Sequence, residues 1–271
     1  MVKHLFLFSL LFITSFFCEA QKDTALPLVR TIKTEVVSGA LDNLDNIYLL
    51  TANDQLKKYN SHGDSVAVNN NVRRFGKLHS IDVSNPLKLV LFYKDFSNIV
   101  VLDRLLTLRT AIDLRQHNIL QATAVGLSYD NNFWIFDAVD NKLKKLDEQG
   151  SLLLETADLR NVFSNAITPE KIWDRDGLVY LYDPAAGLFA FDYYGTFKRK
   201  YPIINWTNVG VMGRYIFGME KKLIHIFDTA TLLEKNYFLP GVAPAAQQYI
   251  ISNNKLLALT KDAAYLYLFR L

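Results

Sequence analysis

The residues of this 271-residue chain that could do acid–base or metal chemistry are few and far apart. The five histidines include His62, His79, His117 and His225, and no two of them have the H-x-H or H-E-x-x-H spacing of metal ligands. His225 alternates with apolar residues, which is typical of a half-buried strand histidine. No G-x-S-x-G nucleophile motif and no phosphate-binding glycine loop occurs. We therefore assign no catalytic residue and expect no cofactor.

The first twenty residues have the pattern of an export signal. A basic start precedes an apolar run over residues 5 to 17, and Cys18-Glu19-Ala20 forms a small-x-small site. We expect cleavage after Ala20, which makes residues 1–20 a signal peptide and residues 21–271 a single mature domain. Two phenylalanines precede Cys18, the only cysteine, so a lipoprotein is the less favoured alternative. After cleavage the protein has no thiol for catalysis or for a disulfide.

The composition limits the partners that the mature protein can have. Half of the residues are apolar, and 30 basic and 27 acidic residues give a net charge of +3. No block of lysine and arginine follows the pattern of phosphate-backbone binding, so we expect no nucleic-acid partner. No apolar stretch after the signal has the length of a spanning helix, so we expect no transmembrane segment after cleavage. Together with the signal, this predicts a bacterial protein of the periplasm or of the outer-membrane surface.

A repeated unit of apolar strands and short turns indicates how the rest of the chain folds. Clear copies are "NIYLLTANDQLKKYNSHGDSV" at 46 to 66, "NNFWIFDAVDNKLKKLDEQGSLLLE" at 131 to 155 and "GLVYLYDPAAGLFAFDYYGTFKRKY" at 177 to 201. Asp or Asn closes the same strand of five copies at intervals of roughly 36 to 45 residues, the length of a four-stranded unit. These residues are Asn60, Asp103, Asp147, Asp192 and Asp228. A sixth copy ends the chain, and each copy has a weaker strand upstream, so the sequence predicts six four-stranded units.

The residues that close these strands have the pattern of tight turns. Glycine follows three positions after Asn60, Asp147 and Asp192, in the motifs N-S-H-G, D-E-Q-G and D-Y-Y-G. In such a turn Asp or Asn accepts hydrogen bonds from backbone N–H groups ahead of it, and glycine adopts a positive φ. We therefore interpret Asp147 as a turn residue, with a metal-binding carboxylate as the alternative.

The two ends of the repeat array complement each other. The last unit ends one strand short, whereas "PLVRTIKT" at 27 to 34 is a strand-like segment ahead of the first unit. We expect this segment to pair with "AYLYLFRL" at 264 to 271 and to close the array into a ring. Ring closure leaves no unpaired radial end.

These features resemble a six-bladed β-propeller and are similar to the NHL and six-bladed TolB-like group. The units "IYLLTANDQLKKYNSHGD" and "FWIFDAVDNKLKKLDEQG" carry the resemblance, which covers residues 27 to 271. Three units lack the turn glycine and depart from the pattern. The resemblance implies an all-β ring of four-stranded blades closed by the N-terminal strand.

The resemblance also implies one enzymatic alternative. Lactonase-like six-bladed propellers hold a divalent cation with carboxylates that point into the central channel, where the metal supports hydrolysis. Asp82, Asp174 and Asp176 lie near first strands of their units, where such ligands would sit. A metal-dependent lactonase- or esterase-like hydrolase is therefore an open alternative to a non-catalytic role.

Surface loops supply the remaining candidates, because function in a ring of blades concentrates on its loops. Tryptophan, tyrosine and arginine are enriched at interaction hot spots. The candidate surface residues are Arg73, Arg74, His79, Trp173, Arg175, Asp176, Tyr193 and Trp206. We hypothesise an exported, non-catalytic module that binds an envelope or secreted protein. The 13% aromatic content leaves a carbohydrate or small-ligand binder as a further alternative.

Overall fold

Apolar strand patterns fold into twenty-four strands, which form six antiparallel four-stranded sheets in the described part of the chain. The structure is a computed structural model that describes residues 26–220, 223–238 and 246–269. The export signal, with Cys18 and the expected cleavage after Ala20, lies outside the described residues. The six sheets are the blades of a β-propeller, so the predicted fold class is confirmed.

Each blade is a meander of four strands, numbered here in chain order. Blade 1 contains β2 (Ser38–Leu41), β3 (Ile47–Leu50), β4 (Leu56–Tyr59) and β5 (Ser65–Asn69). Blade 2 contains β6 (Ser80–Asn85), β7 (Lys88–Tyr93), β8 (Asn98–Asp103) and β9 (Leu108–Asp113). Blade 3 contains β10 (Ala122–Leu127), β11 (Phe133–Asp137), β12 (Lys142–Leu146) and β13 (Leu152–Glu155).

The second half of the ring repeats this arrangement. Blade 4 contains β14 (Lys171–Arg175), β15 (Leu178–Asp183), β16 (Gly187–Phe191) and β17 (Phe197–Tyr201). Blade 5 contains β18 (Thr207–Met212), β19 (Tyr215–Glu220), β20 (Leu223–Asp228) and β21 (Leu233–Phe238). Blade 6 contains β22 (Gln248–Ser252), β23 (Lys255–Leu259) and β24 (Ala263–Leu268), with β1 (Leu28–Lys33) as its outer strand. One short α-helix, α1 (Arg160–Phe163), lies in the connection between blades 3 and 4, and short 3-10 helices in the described residues span Val72–Phe75, Lys94–Phe96 and Leu114–His117.

The pairing of β1 with β24 closes the ring, as the sequence predicts. The two strands are antiparallel, with Thr31 opposite Tyr265 and Ile32 opposite Ala264. The backbone N–H of Val36 donates to the carbonyl of Lys261 at 2.9 Å and extends the contact beyond the strand. Blade 6 is therefore built from both ends of the described chain.

The hydrophobic core lies between the blades. Strands β7, β11 and β16 are buried along their whole length, because each sheet packs against a neighbour on both faces. One cluster joins Val90 and Phe92 of blade 2 to Val125 and Phe133 of blade 3. Because both faces are buried, the sequences of these strands are nearly continuous apolar runs and do not alternate with polar residues.

The Asp and Asn residues that follow the third strand of a blade form the predicted turns. Asp147 Oδ1 accepts hydrogen bonds from the backbone N–H groups of Gln149 at 2.9 Å and Ser151 at 2.7 Å, and Gly150 has a φ of 84°. The turn interpretation of Asp147 is therefore confirmed. Leu106 takes the equivalent position in blade 2 with a φ of 61°, which explains how a unit without the glycine makes the same turn.

The two ends of the central channel are distinct. The first strands of the blades line the channel, and their C-terminal ends lie together. Ser252 Oγ donates to the carbonyl of Asp42 at 3.3 Å, and Asn85 Nδ2 donates to Asn131 Oδ1 at 3.1 Å between neighbouring blades. We call the end where the first strands finish the exit face, and the opposite end, where they begin, the entry face.

Ring closure should make a large contribution to stability. We expect Ile32→Ala to lower the free energy of unfolding by about 2 to 3 kcal/mol, because Ile32 is a buried side chain of β1. The neighbouring exposed residue provides the control, and Thr31→Ala should change stability by no more than about 0.5 kcal/mol. Urea unfolding measures both variants. Equal effects of the two substitutions would contradict a closing role for β1.

Candidate functional site

The central channel is a cavity of about 610 Å³ that is lined by the first strands of the blades. Ile81, Trp173 and Ile250 come from the first strands of three blades and line the channel, whereas Ile172, next to Trp173, packs between blades 3 and 4. Alternation along each strand directs every second side chain toward the channel and the others between blades. Residues at the strand ends therefore determine what each mouth can bind.

Asp174 is a buried hydrogen-bond acceptor that joins blades 3 and 4 near the exit face. Its carboxylate accepts from Ser128 Oγ at 2.8 Å, from Trp134 Nε1 at 3.0 Å and from the Tyr193 hydroxyl at 2.9 Å. The backbone N–H of Tyr129 also donates to it at 3.2 Å. These donors occupy both carboxylate oxygens, so the geometry gives Asp174 a structural role.

The carboxylates proposed as metal ligands have different surroundings. Asp82 accepts from the backbone N–H groups of Ser84 and Leu127, both at 2.8 Å, and links blade 2 to blade 3. Asp176 lies exposed at the exit mouth in a turn, with a φ of 51°. Within residues 26–220, 223–238 and 246–269, no three His, Cys, Asp or Glu side chains are grouped to hold a metal ion.

A pair of stacked tyrosines lies on the exit face, in turns of blades 3 and 4. The rings of Tyr129 and Tyr193 are 4.4 Å apart at their centroids with an interplanar angle of 20°. Lys145 Nζ lies 5.3 Å from the Tyr129 ring centre and forms an ion pair with Asp130 at 2.7 Å. Desolvation, followed by the hydrogen bond to Asp174, raises the pKa of Tyr193 to about 12. The pair is thus fixed in place while Tyr129 remains exposed.

Two neighbours extend this pair into a surface. Tyr194, in the same turn as Tyr193, is 85% exposed. Arg175 lines the channel mouth, and its Nη1 donates to the carbonyl of Asp174 at 2.8 Å. We call Tyr129, Tyr193, Tyr194 and Arg175 the exit patch. It offers aromatic faces and a guanidinium group, which are the groups that dominate protein interfaces.

The entry mouth of the channel has a different chemistry. His79, Glu170 and Lys171 line it, and the turn that carries Lys94 and Asp95 lies near. Burial, followed by the positive charge of Lys94, lowers the pKa of His79. Burial also lowers the pKa of Lys171, although the negative charge of Glu170 opposes the shift.

A side cavity of about 370 Å³ opens between blades 4 and 5 on the entry face. Tyr182, Pro184 and Trp206 line this cavity, and the Tyr182 hydroxyl donates to the carbonyl of Trp206 at 2.6 Å. Four residues line both the side cavity and the channel, so the two cavities meet at these side chains. They are Glu170, Lys171, Asn208 and Val209.

The remaining candidate residues are dispersed. Arg73 and Arg74 lie on the entry face, where Arg73 is 3.6 Å from the Asp54 carboxylate and Arg74 lies 5.7 Å from the Phe75 ring centre. Trp173 is half-buried in the channel wall, close to the channel-lining lysine described above. The structure therefore brings Arg175, Asp176 and Tyr193 together at the exit face and separates them from the other candidates.

The expectation that Trp206 lies on the surface is wrong. Trp206 is only 7% exposed and packs between blades 4 and 5. Its ring packs directly against Gly218, where an added Cβ would lie 2.8 Å from Cε3 of Trp206. The centres of the Trp206 and His225 rings are 5.0 Å apart. Sequence reasoning also missed Tyr129 and Lys171. Each lies near one end of a predicted first strand, and this position is the sequence feature that could have identified it as a candidate.

Comparisons with solved structures support the fold. A streptogramin B lyase structure aligns with a TM-score of 0.58 at 16% identity, over 86% of this chain and 79% of that one. The Cps50 (Swd1) β-propeller domain of Myceliophteria thermophila aligns with a TM-score of 0.62 at 7% identity, over 90% and 100%. BBS1N in complex with ARL6DN aligns with a TM-score of 0.58 at 10% identity, over 91% and 97%. This chain has a β-propeller fold.

At these identities the similarity concerns the fold alone. No protein-family model matches the sequence, and no curated protein matches it significantly. The described residues contain no helix that is long and apolar enough to cross a membrane. The similar propellers include a lyase and a domain seen with a protein partner, so the fold is compatible with either kind of role.

Substitution of Asp174 should destabilise the blade interface. We expect Asp174→Ala to lower the free energy of unfolding by about 3 kcal/mol or more, because it leaves several buried donors without an acceptor. Asp176→Asn is the matched control in the exposed turn after the same strand, because asparagine tolerates the left-handed backbone conformation there (φ 51°), and it should cost less than about 0.5 kcal/mol. Thermal and urea unfolding with tryptophan fluorescence report both. A neutral Asp174→Ala variant would contradict the structural role.

The raised pKa of Tyr193 predicts a pH dependence of stability. Between pH 10, the ordinary pKa, and about 12 the unfolded chain loses the Tyr193 proton while the folded protein keeps it. Stability attributable to this group therefore falls as the pH rises through this window. Ultraviolet difference titration of the wild type against Tyr193→Phe should show one phenol that ionises near pH 12. In Asp174→Asn the same phenol should ionise at lower pH. An unchanged titration would contradict the hydrogen bond between the two side chains.

Proposed function

We propose that this chain is an exported, non-catalytic protein-binding module, and that the exit patch is its contact surface. The observation that carries the proposal is the stacked pair of Tyr129 and Tyr193 on the exit face. A hydrogen bond to a buried carboxylate fixes Tyr193, and a cation–π contact orients Tyr129. Side chains that are already ordered lose little entropy when a partner binds, which favours affinity.

The composition of the exit patch supports a protein partner. Tyr194 and Tyr129 expose large aromatic surface, and Arg175 adds a planar cation on the same face. Tyrosine and arginine provide large contact area and several hydrogen bonds at interfaces. Each of these apolar side-chain surfaces ends in a polar group, a hydroxyl or a guanidinium. The patch can therefore stay hydrated before its partner binds.

The cell envelope is the proposed location, and the N-terminal sequence supports it. The pattern of residues 1–20 is that of a cleaved signal, and the partner would then be an envelope or secreted protein. Membership of the NHL or TolB-like group is part of the same proposal and is supported by the repeat pattern of the blades. The hydrolase alternative loses support because Asp82 and Asp174 already accept hydrogen bonds from the protein.

The proposal is tested by affinity capture of the mature chain, residues 21–271, cross-linked in its native envelope with metal analysis of the same sample. We expect one stoichiometric protein partner, with cross-links that map to the exit face. A sample without a protein partner that holds about one divalent ion per chain would instead favour the hydrolase.

Substitutions on the exit patch should weaken the complex with the captured partner. We expect Tyr129→Ala and Tyr194→Ala each to reduce affinity by roughly tenfold, since buried interface tyrosines typically contribute more than 1 kcal/mol. Arg73→Ala is the control, because Arg73 is equally exposed but lies on the entry face. Calorimetric titration measures all three. A loss of affinity in the control, with the tyrosine variants unchanged, would place the interface on the other face.

A further inference from the structure

The outer strand of each blade has one edge that pairs with no strand of the described chain. Such an edge can pair with a strand of another protein, and a β-bulge protects it because the extra residue bends and twists the strand. Five of the six outer strands contain a bulge, in which one residue is inserted near the start of the strand. The inserted residues are Val29, Val66, Arg109, Leu153 and Lys198.

Strand β21 of blade 5 is the exception among these six outer strands. All six of its residues pair with β20 in an unbroken register. The preceding turn explains the difference. In blade 2 the residue with positive φ, Leu106, lies three positions after Asp103, whereas in blade 5 Leu232 lies four positions after Asp228 with a φ of 60°. The longer turn takes up the additional residue, and the strand that follows it is regular.

The side chains of β21 are also uncovered. All six residues are exposed. Alternation along the strand places Leu233, Lys235 and Tyr237 on one face, where Leu233 is 63% and Tyr237 38% exposed. Phe238, on the other face, is 60% exposed. No carboxylate of the described residues lies within 4.0 Å of Lys235 Nζ. One face of the strand therefore presents a basic group between two apolar side chains.

We propose that the free edge of β21 binds an extended segment of a partner protein, which adds a fifth strand to blade 5. Hydrogen bonds between the two main chains supply affinity, and alternate side chains supply specificity. Charge complementarity requires an acidic residue opposite Lys235, with apolar residues two positions away on either side to face Leu233 and Tyr237. The site lies on the outer rim of the ring, so it is independent of the exit patch.

A second copy of β21 fits this edge less well than an acidic segment. In a symmetric antiparallel pair centred on Lys235, two ammonium groups lie opposite each other, which is destabilising. In a pair centred on Asn236, Lys235 lies opposite Tyr237 and Glu234 opposite Phe238. Neither charge then meets an opposite charge. The edge therefore favours an acidic partner strand over a copy of itself.

The test uses the mature chain and an end-blocked peptide, Thr-Val-Thr-Asp-Thr-Val-Thr, at millimolar concentration. Magnetic resonance measures the affinity and the hydrogen exchange of the β21 amides. We expect the peptide to bind and to slow the exchange of alternate β21 amides, those that point to the free edge. A peptide with Lys in place of Asp should bind roughly fivefold or more weakly, since an opposite-charge pair becomes a like-charge pair.

Two methylated peptides test whether the main chain makes the contact. One has N-methyl groups on the Val and Asp residues, and the other on the Thr residues. Alternate N–H groups of a strand point to opposite edges, so one set of methyl groups should abolish binding and the other should leave it intact. Loss of binding with both sets, or with neither, would overturn the proposal.

Two protein variants localise the site. Lys235→Glu should weaken binding of the Asp peptide roughly fivefold or more and strengthen binding of the Lys peptide. Arg199→Glu is the matched control, because it makes the same charge change at an exposed position of the bulged outer strand β17. It should change neither affinity. Thermal unfolding checks that both variants fold.

Three further outcomes would overturn the proposal. The first is that the Asp peptide does not bind the wild-type chain, and the second is that the preference for the Asp peptide persists in Lys235→Glu. The third is a dimer of the wild-type chain, detected by sedimentation, that the Asp peptide dissociates. In that case a second copy would be the occupant of the β21 edge.

Discussion

The pairing of β1 with β24 is the interaction on which the rest of the ring depends. It brings Ile32 and Leu41 into one apolar cluster with Leu257 and Leu266, so that blades 6 and 1 cover each other. The Gln248 side chain reinforces the seam, because its amide exchanges hydrogen bonds with the backbone N–H and carbonyl of Gly39. Without closure, two blades would expose apolar faces that every other blade buries against a neighbour. The channel and its two mouths exist only while the ring is closed.

Closure gives the two mouths fixed but different chemistry. At the exit face, the Asp174 carboxylate accepts hydrogen bonds from side chains of two blades, and one of these bonds fixes the ring of Tyr193. At the entry face, His79, Glu170 and Lys171 line the channel, and the Lys171 ammonium group contacts the carbonyl of Val209 at 3.5 Å. The two faces of the ring therefore present different chemical groups. The single cysteine excludes an internal disulfide, so packing and buried polar contacts maintain both mouths.

Much of the fold could be predicted because its signals are local. Alternating strands, turns closed by Asp or Asn, and a missing last strand lead to six blades and their closure. The site could be predicted only in part. Arg175 and Tyr193 stand out by residue type, but the donors of Asp174 include Ser128 and Trp134 from the preceding blade, and no local pattern reveals them.

Native-state amide hydrogen exchange measures whether the ring is closed in solution. We predict that the amides of β1 that pair with β24 exchange only with global unfolding, as slowly as those of the inner strands of blade 3. Fast exchange along residues 28–33, with protection retained in blades 2 to 5, would show that the N-terminal strand opens independently. The ring would then be an open array, and neither channel mouth would have the fixed geometry described above.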